Sequence, residues 1–190
     1  MYIPVIVGSI RSGRNTSRLS SFLQTKLAAL DGVETELFDP RAMNLPLLEE
    51  RLRLLENPPP ALVAFGAAIE RADGVVITTP EYNKGYPAAL KNLIDALGPE
   101  WRRKPIAIAS HSVGAFGGSV ALQALRPVLQ SLGAVTIPAT MSVPHISQAF
   151  DENGVALDSA FEGRADRFLE ELLWYARALR AAPDASSDAG

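Results

Sequence analysis

The sequence predicts an α/β fold built on a doubly wound, five-stranded parallel sheet in the order 2-1-3-4-5, with helices on both faces. Three observations lead there. Short runs that are apolar throughout, such as residues 2–7 and 74–79, alternate with longer stretches of helical period, and strands apolar on both sides belong to parallel sheets covered on each face. Five strand–helix repeats in succession require crossover connections, whose right-handedness fixes how the helices wrap. The chain has 190 residues, 47% hydrophobic and 21% charged, which suits one ordinary buried core.

The elements follow in order. Residues 2–7 form the first strand and end at Gly8; Pro4 lacks a ladder donor and belongs early in the strand or at a sheet edge. Leu19, Phe22, Leu23, Leu27 and Leu30 mark a helix over 16–30, stopped by Asp31-Gly32. Residues 33–38 alternate as a second strand, which Asp39-Pro40 ends. Residues 40–60 break the pattern, because Pro46 and Pro58-Pro59-Pro60 bracket a leucine-rich stretch with room for one or two helical turns. A connection this long usually serves a site or a partner, so its Leu47, Leu48, Leu52, Leu54 and Leu55 are expected in a subunit contact or a lid. A helix over 61–72, a strand over 74–79 and a helix over 87–97 come next. A strand over 105–109, a helix over 119–132, a strand over 134–137, a turn at Asp151–Gly154 and a helix over 159–179 complete the series. Residues 1–180 are expected as a single domain and 181–190 as a polar tail.

Composition excludes several classes of chemistry. Cys is absent, which removes disulfides, iron–sulfur ligation and thiol catalysis, and two histidines leave little for a metal site. A net charge of −3 gives no basic footprint for nucleic acid. No charged leader followed by an apolar run opens the chain and no apolar stretch of 18 residues occurs. A cytoplasmic protein with no membrane or nucleic-acid partner is expected.

A sheet of this order binds ligands beyond the carboxyl ends of its strands, where strands one and three diverge. The loops after strands one, three and four are therefore the ones to inspect. The first, Gly8 to Ser17, offers backbone amides, a helix start, hydroxyls and guanidinium groups to an anion. Its glycine spacing is that of a triphosphate loop, but Arg14-Asn15 stands where Lys and Ser/Thr are needed. The second loop holds Tyr82, Asn83 and Tyr86 between Pro80 and Pro87, a stiff presentation of flat faces and amides. The third contains Gly114, Gly117 and Gly118, which permit close backbone approach to a ligand. Gly117-Gly118-Ser119-Val120-Ala121 approximates a hydrolase elbow, but its last glycine is missing and capping accounts for the serine. His111 reads as a loop histidine bonded to backbone rather than as a base.

Three segments carry a resemblance: GSIRSGRNTSRL, TPEYNKGYPAALKNLIDAL and SVGAFGGSVALQALRPVLQSLGA. Together they resemble the NAD(P)H-dependent FMN reductases, the flavodoxin-like group that includes chromate, quinone and azo reductases. The match runs from about Tyr2 to Phe150, with Pro80 to Asp95 its most specific part. The resemblance implies non-covalent FMN, NADPH or NADH as donor, a small-molecule electron acceptor, and a homodimer or homotetramer. It assigns Ser9, Arg11, Asn15 and Ser17, with Arg14 adding charge, to the phosphate loop. Pro80, Glu81, Tyr82, Asn83 and Gly85 fall along the isoalloxazine ring, and Ser112, Gly114 and Gly117 near its pyrimidine edge and the ribityl chain. No catalytic side chain and no metal are implied. Lys84-Gly85-Tyr86 departs from the smaller residues frequent in the family. The alternative is a flavodoxin-type electron carrier without its own NAD(P)H oxidation, which strong acidity would favour and −3 does not.

Overall fold

The computed structural model describes residues 1–182. Its sheet joins β1 (Val5–Val7), β2 (Leu37–Phe38), β3 (Val75–Pro80), β4 (Pro105–His111) and β5 (Val135–Val143). All pairings are parallel and the order is β2-β1-β3-β4-β5, as the sequence predicts. The helices are α1 (Thr16–Ala28), α2 (Pro40–Met43), α3 (Pro60–Arg71), α4 (Ala88–Asp95), α5 (Ser119–Ser131) and α6 (Ala160–Ala181). None of the described helices is long and apolar enough to cross a membrane. Residues 183–190 of the expected tail lie outside the described residues, and α6 already takes in Ala181.

Strand alternation divides the core into two layers. Ile6, Val75, Ile77, Ile106 and Ile108 face one layer, shared with Phe65, Ile69, Leu93 and Leu125 of α3, α4 and α5. Val5, Val76, Ala107 and Ala109 face the other, shared with Leu23 of α1 and Phe168 and Leu172 of α6. In the first layer Phe65 meets Phe38 edge-on at 5.2 Å and Trp101 at 6.1 Å between ring centroids. Trp101 is fully buried, and its indole N–H donates to the Ile94 carbonyl at 3.0 Å.

Pro4 sits just ahead of β1, a strand inside the sheet, so the early position applies and the edge position does not. β2 is only two residues long, although its approach still pairs through Ile3 N–H to Glu34 O and Val5 N–H to Glu36 O. β5 runs six residues beyond its predicted end, to Val143. Pro138 and the polar Thr136, Thr140 and Ser142 interrupt its apolar run, which an edge strand tolerates. Across from β4, Ile137 to Ala139 bulge between the pairs Ile106–Thr136 and Ile108–Thr140. Arg126 Nη2 donates to the Ile137 carbonyl there at 3.0 Å and to that of Pro138 at 3.3 Å.

The 40–60 segment packs beside α3 and α4 and puts no residue in the wall of the cavity described below, so it is no lid in this conformation. Leu52 N–H donates to Ala96 O at 2.8 Å, and the Leu52 side chain fills the space above Gly66, where a Cβ would lie 2.4 Å away. Asn92 holds the segment further on, accepting from Leu48 N–H at 2.7 Å and donating to Pro46 O at 2.9 Å. Arg53 Nε donates to the buried Glu100 carboxylate at 2.7 Å. Burial opposes ionisation of Glu100, but the Gly98 and Glu100 amides and the Arg53 guanidinium outweigh it and hold the carboxyl below its usual range. Leu47 and Leu54 remain exposed.

Candidate functional site

The carboxyl ends of β1, β3 and β4 open into a cavity of about 310 Å³, lined from Arg11 to Asn15, from Pro80 to Tyr82, from His111 to Val113 and by Ile146. Its floor depends on one glycine. Gly8 N–H donates to Thr78 O at 2.8 Å, and a Cβ on Gly8 would fall 2.2 Å from that same oxygen. Any larger residue would push the first loop off β3.

Buried Ser9 shares a hydrogen bond with the Tyr82 hydroxyl at 2.9 Å and accepts from Arg11 N–H at 3.3 Å. The Arg11 guanidinium lies over the Tyr82 ring, 5.5 Å from its centroid, a cation–π arrangement. Arg14 is 10% exposed and ion-paired through Nη2 to Asp39, while its Nε is buried with no partner. Asn15 supplies no side-chain cap to α1, and Ser17 Oγ donates to Arg14 O at 3.1 Å. An uncapped helix start, an unpartnered guanidinium N–H and a second arginine on one wall amount to a receptor for an anion.

Residues 82–85 form a tight hairpin. Tyr82 N–H donates to Gly85 O at 2.9 Å and Gly85 N–H returns to Tyr82 O at 3.0 Å. Asn83 (φ 50°) and Lys84 (φ 67°) take the left-handed positions, which a two-residue turn of this hand demands. Asn83 is exposed at the tip. In the third loop Ser112 Oγ donates to Gly114 O at 3.0 Å and Ser110 Oγ to Gly117 O at 2.8 Å.

Of the residues singled out in the sequence, Arg11, Arg14, Asn15, Pro80, Glu81, Tyr82 and Ser112 line the cavity. Ser9 and Ser17 stand behind that wall, Asn83 and Gly85 build the hairpin, and Gly114 and Gly117 shape the third loop. Sequence reasoning passed over Val113 and Ile146, which also line it; Ile146 arrives from the turn after β5, with no local signal. His111 is corrected: it ends β4, is 5% exposed, and bonds through Nε2 to the Thr16 hydroxyl at 2.8 Å, leaving Nδ1 unpartnered. Burial alone pushes its imidazole down to about 4, so it is neutral at physiological pH.

A family model described as NADPH-dependent FMN reductase matches residues 1–148. The chain belongs to that family. A quinone reductase of Pseudomonas putida is 34% identical over 182 residues, covering 87% of this chain and 91% of the relative. An NAD(P)H-dependent FMN reductase of Saccharomyces cerevisiae is 30% identical over 145 residues, 70% of this chain and 75% of the relative. Among solved structures, a flavoenzyme NAD(P)H:(acceptor) oxidoreductase from Paracoccus denitrificans superimposes with a TM-score of 0.74 at 27% identity, covering 93% and 97% of the two chains. A Bacillus cereus flavodoxin shares the fold, with a TM-score of 0.55 over 91% and 98% at 17% identity. This FMN reductase family member is thus an oxidoreductase, and its cavity fits the family's cofactor. The unpartnered Arg14 Nε and uncapped α1 suit one phosphate, and the Tyr82 ring stands along the same wall.

Proposed function

We propose that this cavity holds FMN non-covalently and that the protein passes electrons from NADPH or NADH to a small acceptor: a quinone, flavin, azo compound or metal oxyanion. The observation that carries this reading is the anion receptor of α1, Arg11 and Arg14 set against the Tyr82 ring. Held there, FMN would supply the hydride-accepting and electron-donating chemistry of the reaction. The protein's part is placement. Arg11, Arg14 and the first turn of α1 would hold the phosphate; Tyr82, fixed by Ser9, would align the ring; the third loop would supply amides to its pyrimidine edge. Curated relatives named as reductases favour this over a one-electron carrier.

The test is the purified protein itself. It is expected to carry oxidised FMN that NADPH or NADH bleaches anaerobically without a separate reductase, in a cytoplasmic homodimer or homotetramer whose contact includes exposed Leu47 and Leu54. Absence of bound or bindable FMN, or bleaching only through a partner reductase, would overturn the reading. Within it, Arg11→Ala is expected to weaken FMN binding by about 1.5–3 kcal/mol, the range of a charge-assisted hydrogen bond. Fluorescence titration measures this, and unchanged affinity would remove Arg11 from the phosphate site.

Placement alone also means that no side chain near the ring has to move a proton. His111→Gln, compared at equal FMN occupancy, is expected to keep flavin reduction within roughly tenfold of wild type, below the 10²–10⁴-fold typical of acid–base groups. Stability behaves differently. The folded His111 titrates near 4 and an unfolded histidine near 6.5, so the unfolded chain binds the extra proton between those values. Stability should therefore fall as pH drops from about 6.5 towards 4, by up to about 3 kcal/mol, and His111→Gln should flatten that slope. Urea melts across this window in both proteins decide it.

A further inference from the structure

Glu81 stands in the cavity wall, yet its carboxylate is engaged elsewhere. Oε2 accepts from Val120 N–H at 3.0 Å and from Ala121 N–H at 3.3 Å, the second and third residues of α5. Those amides are ordinarily satisfied by a serine, threonine or aspartate immediately before the helix. Here that position is Gly118, at φ +78°, where a Cβ would lie 2.6 Å from the His111 carbonyl oxygen and 2.9 Å from its nitrogen. No capping side chain fits at Gly118, so the cap reaches α5 from a different loop.

The backbone of Glu81 is tied as well, its N–H donating to His111 O at 3.1 Å. The next residue is Tyr82, whose hydroxyl meets Ser9 behind the cavity wall. We propose that Glu81 is a positioning residue: its carboxylate latches the loop after β3 to the start of α5, and so holds Tyr82 in place without itself touching the flavin. The inference rests on the FMN reading above. It carries a second consequence for ligand selection. Glu81, in the cavity wall, neutralises the positive end of α5. The uncapped start of α1, at the cavity wall beside Arg11 and Arg14, stays open to the single phosphate of FMN.

Glu81→Gln and Glu81→Ala test this, because glutamine keeps a carbonyl oxygen for the α5 amides and alanine keeps none. In the FMN-free protein, hydrogen exchange at Val120 and Ala121 should quicken about 5–30-fold in Glu81→Ala and stay close to wild type in Glu81→Gln. The FMN dissociation constant should rise by a similar factor in the alanine variant and by no more than roughly threefold in the glutamine variant. The absorption bands of bound FMN should stay at their wild-type positions in Glu81→Gln, since no charge beside the ring is lost. Unchanged exchange in Glu81→Ala overturns the latch. A band shift in Glu81→Gln overturns it too, by placing the carboxylate against the flavin. If wild type bound no FMN, the functional reading would fail, and exchange at the two amides would still decide the cap.

Discussion

Tyr82→Ala is expected to slow flavin reduction by NAD(P)H about 10²-fold when FMN occupancy is matched to wild type. The side chain is fixed from three directions. Its hydroxyl is bonded to buried Ser9, its ring carries the Arg11 guanidinium, and its backbone closes the hairpin with Gly85. On the proposed FMN reading, a ring so held would set the flavin plane, and displacement of reacting atoms by about 1 Å can cost roughly that factor. Tyr82→Phe keeps the plane and loses only the hydroxyl contact, so its loss should be well below that of alanine. Anaerobic stopped-flow bleaching in single turnover measures both. A Tyr82→Ala protein reducing its flavin at the wild-type rate would show that the ring does not set the geometry.

The largest effect on stability is expected at Trp101. Trp101→Ala should cost about 3–5 kcal/mol, the range for truncating a fully buried large aromatic, and lower the melting temperature by roughly 6–20 °C for a chain of this size. The side chain packs against Phe65, and its indole N–H donates to Ile94 O, which would lose that 3.0 Å bond and keep the longer one from Leu97 N–H at 3.3 Å. Its loss also loosens the turn on which Glu100 receives Arg53. Thermal and urea melts give the number. A shift below about 1 kcal/mol would mean that neighbours collapse into the space, against the usual partial relaxation of cores.

The sheet was legible because its strands are apolar on both faces, and the position of the cavity followed from the strand order alone. Elements whose reasons are tertiary were not. The extension of β5 past Pro138 depends on its being an edge strand, and the turn at Trp101 depends on a pocket built by Phe65 and Ile94. At the site, sequence indicated which loops converge but not where each side chain points. Glu81 lies in the right loop and turns towards α5. Asn83 lies in the same loop and serves its φ rather than the cavity. His111 belongs to a strand because β4 runs two residues further than its apolar core. The directions of Glu81 and His111 depend on partners more than 30 residues away, which no local pattern encodes.

The bulge in β5 bears on how molecules of this protein can meet. A long strand at the margin of a sheet is a template onto which a strand of another molecule can add, and repeated addition leads to fibrils. Here Pro138 has no N–H to offer an incoming strand, and Arg126 already occupies the carbonyls of Ile137 and Pro138. The opposite margin, β2, is two residues long and too short to seed an addition. Both borders thus resist growth of the sheet, and orderly contact between copies is left to surfaces away from the strand edges.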